Sequence, residues 1–97
     1  MAQTLERTFV SAWKANQNQA AVLGVRMRPI DERDPMKQAH RVLSGNRLSD
    51  GFNELASRKQ LKLSLEALAV DKRFTALFTD EEANEALSRL LEAGFYL

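Results

Sequence analysis

Apolar residues recur at helical spacing over much of this chain, and the clearest case lies between residues 79 and 94. Ala83, Ala86, Leu87, Leu90 and Leu91 fall at i, i+3, i+4, i+7 and i+8, which places them on one face of a helix. Thr79 stands where an N-cap belongs, and Glu82 is its capping-box partner three residues on. Asp80, Glu81 and Glu82 set negative charge against the positive end of the helix dipole, and Gly94 suits the left-handed turn that closes a helix. An apolar stripe of this kind needs a covering surface, from the same chain, a second copy or another molecule.

The same spacing appears upstream. Leu5, Phe9, Ala12, Trp13 and Ala20 predict a helix over about 4–23, diluted midway by Asn16, Gln17, Asn18 and Gln19. Gly24 interrupts it, and the apolar–basic alternation of Val25 to Ile30 predicts a short extended segment over 25–30, too short to define a sheet. Asp34 and Pro35 supply the cap and first turn of a second helix, residues 35–44, with Met36, Ala39, Val42 and Leu43 on its buried side and Gly45-Asn46 as its stop. A third helix is expected from Leu48, with Ser49 as an internal start, Phe52 and Leu55 continuing the spacing, and Arg58-Lys59 at its C-terminal end. Leu61, Leu65 and Leu68 predict a connector followed by a helix capped by Ser64 and running to Asp71. Phe74, Leu77 and Phe78 form an apolar turn leading into the final helix, and Phe95, Tyr96 and Leu97 an apolar tail expected to dock or pair. The expected architecture is a single all-α domain over 1–97, a small bundle of four to five helices.

Composition narrows the class. With 97 residues, 44% hydrophobic and 28% charged, the chain has material for a modest core and is not of a disordered composition. Its small size makes a homodimer the expected way to bury further apolar area. There is no cysteine, which excludes disulfides and thiolate zinc sites. No apolar run approaches the roughly 18 residues of a membrane span, and the first residues lack the order of a signal peptide, so a cytoplasmic location and no membrane are expected. Residues 1–62 carry eleven Lys and Arg against six Asp and Glu, whereas residues 63–97 carry three against seven. A basic first part suits an anionic partner, and unlike ends equally suit self-association.

Candidate chemistry is sparse. His40 is the sole histidine, and Lys37 occupies the position where a carboxylate-bridged metal bundle would have Glu. Asp31, Glu32 and Asp34 lack the spacing and glycine of a calcium loop, and Gly24, Gly45, Gly51 and Gly94 are too scattered to cradle phosphates. A Gly-x-Ser-x-Gly elbow is also missing. The expectation is a protein that is not an enzyme and uses no cofactor or metal.

The basic residues around the second helix point to binding. Lys37 and Arg41 lie at i and i+4, a spacing that lays two cations along a phosphate backbone, with His40 beside them and Arg28, Arg33 and Arg47 on the flanking loops. The leading expectation is a small DNA-binding accessory or regulatory protein whose phosphate contacts come from these six residues. A helix-turn-helix register over Leu55 to Leu61 fits poorly, because Gln60 replaces the usual glycine and charged Glu66 falls where the second helix should be buried. The alternative is a protein-interaction module, an adaptor, antitoxin or chaperone subunit acting through apolar helix faces. Phe9 and Trp13 are expected in the core, and if exposed would mark the interface.

Overall fold

The final helix begins as its local sequence dictates. The Glu82 amide donates to the Thr79 hydroxyl at 3.1 Å and the Thr79 amide donates to Glu82 Oε1 at 2.9 Å, completing the capping box. The computed structural model describes residues 2–45 and 48–95. Within them run α1 (Ala2–Val22), α2 (Pro35–Ser44), α3 (Phe52–Ser57), α4 (Leu65–Ala69) and α5 (Asp80–Glu92), with single 3-10 turns at Leu61–Leu63 and Thr75–Leu77. The all-α expectation of four to five helices is met.

Each start has a local cause. Pro35 opens α2, and Asp34 Oδ1 accepts from the Lys37 amide at 3.0 Å. Ser64 is fully buried and satisfied on both sides, donating to the Leu61 carbonyl at 2.7 Å and accepting from the Ala67 amide at 3.1 Å, so it joins the first 3-10 turn to α4. Three helix ends share one device. Gly24, Lys59 and Gly94 take positive φ, and the next residue's amide reaches back to the carbonyls of Ala20, Leu55 and Leu90.

The core consists of two clusters of buried residues, and the half-buried Val70 packs against both. α5 packs on α2 and α4, while α1 packs on α4 and both 3-10 turns. Phe9 sits at the centre of an aromatic group, its ring 5.7 Å from Trp13 and 5.3 Å from both Phe74 and Phe78. A second cluster gathers Ala20, Val25, Phe52, Leu55, Leu61, Leu63 and Leu90. The Cα radius of gyration, 12.3 Å, matches the about 12.5 Å expected of a compact chain of this length. The helix stripes are therefore covered chiefly from within the chain.

Phe9 and Trp13 are 0% and 5% exposed, so they lie in the core as expected, and the exposure that would have marked an interface at these side chains is not found. Three details differ from the sequence reading. The buried face of α5 carries Glu82, Ala86, Arg89 and Leu90, whereas Leu91 is 45% exposed; the face is rotated from the predicted stripe because two charged residues find partners inside. α3 starts at Phe52, after Gly51 at φ +78, where a Cβ would come within 2.7 Å of Val25 Cγ1. Leu48 and Ser49 precede it outside the helix. α4 stops at Ala69, two residues early, because Asp71 instead accepts the Arg73 amide and turns the chain. Residues 25–30 are neither helix nor strand. Phe95 packs against the second cluster, while Asn46, Tyr96 and Leu97 lie outside the described residues.

Candidate binding cleft

The non-helical stretch after α1 is pinned by side chains rather than by backbone pairing. Gln17 on α1 donates to the Arg28 carbonyl at 2.9 Å, and Gln38 on α2 donates to the Pro29 carbonyl at 3.1 Å while accepting from the Asp31 amide. Asp50, before α3, accepts from the Arg28 amide at 3.1 Å. This strut, α1, α2 and the loop before α3 enclose an open cleft of about 630 Å³. Its floor is the outer side of the core, where Trp13 and Leu65 are buried, with Met27, Val42 and Leu48 along its sides. Its rim is charged and exposed: Arg28, Lys37 and Arg41 against Asp31, Asp34 and Asp50.

The two signs are not equally engaged. Asp34 caps α2, Asp31 Oδ1 accepts from the Arg33 amide at 2.9 Å, and Asp50 Oδ2 lies 3.7 Å from Arg28 Nε. Lys37 and Arg41 sit one turn apart on α2, and neither has an ion pair among the described residues. Of the six residues expected to contact phosphate, the cleft gathers Arg28, Lys37 and Arg41. Arg33 does not line it, and Arg47 lies outside the described residues. His40 is directed elsewhere, its Nδ1 2.7 Å from Glu82 Oε2 and its ring edge-on to Phe78 at 5.4 Å. Burial raises the pKa of Glu82, but the Thr79 amide and His40 more than offset this and hold the carboxyl below its ordinary value of 4.5.

The cleft wall depends on a pair that periodicity does not reveal. Glu66, fully buried, accepts from Arg89 Nη1 at 3.2 Å and from the Ser49 amide at 3.0 Å, as well as from the Ser49 hydroxyl. Arg89 also donates to Glu85 at 2.7 Å, to the Gly45 carbonyl at 2.8 Å and to the Val42 carbonyl at 3.4 Å. Val42, Gly45 and Ser49 line the cleft, so this network fastens its wall to α4 and α5. The available signal was a charge set inside each apolar run, Glu66 between Leu65 and Leu68 and Arg89 between Ala86 and Leu90.

Among the described residues, no three His, Asp or Glu side chains gather as metal ligands, and no helix is long and apolar enough to cross a membrane. Compared with models of protein families, with curated proteins and with solved structures, the chain finds no match.

Proposed function

We propose that this chain is a protein-interaction module that receives an apolar side chain of a partner in the cleft between α1 and α2. The observation that carries this reading is the pairing of an apolar floor with a rim of balanced charge. Partner anchors seat in such pockets, with polar groups around them setting orientation. Duplex DNA would leave the floor unused and would bring its phosphates against Asp31, Asp34 and Asp50.

One observation favours the second reading, phosphate contact: Lys37 and Arg41 are exposed one turn apart and without ion partners among the described residues. A single pair of measurements separates the two. Selection from a displayed peptide library, repeated with the rim variant Leu48→Asp, should yield peptides that share an apolar anchor and lose binding to the variant. Anisotropy of labelled duplex DNA at two salt concentrations should show no binding that depends on Lys37 and Arg41. Salt-sensitive DNA binding that Lys37→Ala/Arg41→Ala weakens, with no peptide selected, would replace the interaction reading.

A further inference from the structure

We propose that two copies of this chain pair about a two-fold axis through the end of the bundle where α1 and α5 finish. Val22 of each copy packs on Leu91 of the other, and Arg26 and Arg58 face Glu92 across the contact. None of these residues lines the cleft, so the proposal is independent of the cleft reading.

The apolar part of this surface is gathered rather than scattered. Among the described residues the exposed large apolar side chains are Val22, Leu48 and Leu91, at 87%, 40% and 45%. Val22 ends α1, and Leu91 is the next-to-last residue of α5. The two helices finish on the same part of the core, because Leu23 and Phe95, which follow them, both pack against the second cluster. Ala21 and Ala93 are exposed beside Val22 and Leu91, and their small side chains leave room for close approach. Apolar residues collected in this way mark a contact surface.

The charges around it come in both signs. The chain after α1 runs beside α3 in the opposite direction: Arg58 Nη2, at the end of α3, is 4.0 Å from the position of a Cβ on Gly24, and a Cβ on Gly51, at its start, would lie 3.3 Å from the Arg26 carbonyl. Arg26 and Arg58 are exposed, and neither has an ion pair among the described residues. Glu54, one turn before Arg58 on α3, does not pair with it. On the α5 side Glu92 is exposed and likewise without an ion pair among the described residues, since Arg89, the one cation of α5, is buried against Glu66 and Glu85.

This arrangement selects the occupant. A partner of a single sign would meet like charge on one margin of the surface. A second copy turned by half a revolution brings the cationic margin of each chain to the Glu92 margin of the other, with the apolar residues between them, and does so twice over.

The test is sedimentation velocity of the full chain across a range of concentrations at low and high salt. Wild type should pass from monomer to dimer and no further, with the dimer weakened by salt. Val22→Asp and Leu91→Asp should each raise the dimer dissociation constant about tenfold or more, with helix content by circular dichroism unchanged. Glu92→Arg alone and Arg26→Glu/Arg58→Glu alone should each be monomeric, because either homodimer sets like charges together. Mixed in equal amounts, the two charge variants should form a heterodimer, because both contacts then join unlike charges. A chain that is monomeric at every concentration, or a dimer that these substitutions leave unchanged, would overturn the proposal. Growth beyond the dimer would overturn the two-fold pairing, and a mixture of charge variants that stays monomeric would overturn the facing of Arg26 and Arg58 with Glu92.

Discussion

Arg89 meets Glu66 across 3.2 Å with the two side chains 5% and 0% exposed, so the contact joining α5 to α4 is an ion pair almost wholly removed from water. It is tolerated because both ends are fully supplied with hydrogen bonds, and among the described residues no buried side-chain nitrogen or oxygen lacks a partner. Removing Arg89 strands the Glu66 carboxylate, whereas removing Glu66 leaves Arg89 paired with Glu85. Arg89→Met should cost about 3–5 kcal/mol, a large part of the stability of a chain this size, and Glu66→Met less. Urea denaturation checks this, and the double variant Glu66→Met/Arg89→Met should lose much less than the sum of these two singles.

Glu82 links stability to acid. Its pKa is depressed in the folded state, so its contribution is fully present above the unfolded value near 4.5 and is lost as pH falls through the lower folded value. Wild type should lose its stability advantage over Glu82→Gln in that window, read as urea midpoints between neutral pH and pH about 3. Carbon-detected titration of Glu82 in His40→Gln should show its pKa moving back upward, because one of the groups that lowers it is gone.

Phe9 distinguishes packing from association. Phe9→Ala removes a fully buried ring that touches three other aromatic rings and should destabilise by about 3–5 kcal/mol. Because the side chain is internal, the sedimentation coefficient of the folded variant should not change. A shift in oligomeric state at unchanged stability would contradict this placement.

Lys59 holds a left-handed conformation, φ +59, in the turn that ends α3, where glycine serves at the ends of α1 and α5. A Cβ is disfavoured there, and relief of that strain is partly cancelled by the added freedom of glycine in the unfolded chain. Lys59→Gly should stabilise by about 0.5–1 kcal/mol in thermal denaturation, and Gly94→Lys should do the reverse.

The helix starts were legible because their causes are local. Thr79 with Glu82, Asp34 with Pro35, and Ser64 each complete a cap within four residues, and each stands where the spacing puts it. Ser49 was misread as a helix start because its partner, Glu66, lies 17 residues further on. Glu66 and Arg89 escaped because periodicity treats charge as a sign of exposure, and only the fold reveals that two misplaced charges meet. The basic surface was legible in part. Lys37 and Arg41 share a face by spacing, but Arg28 reaches the same cleft through contacts with residues 11 and 22 positions away. His40 precedes Arg41 by one residue, a rotation of about 100° around the helix, which carries it toward Phe78 and Glu82 instead.

Trp13 touches Phe9 on its inner side and forms part of the cleft floor on its outer side. The chain has one tryptophan, so a single indole emission records the integrity of the core and, under the proposed function, would also record the filling of the cleft. The two readouts are also thermodynamically joined. A molecule seated on that ring is released when the chain unfolds, so occupancy raises the melting temperature in proportion to the logarithm of ligand excess. A melting screen followed at the tryptophan emission band thus becomes a search for partners that needs neither a label nor a guess at their identity.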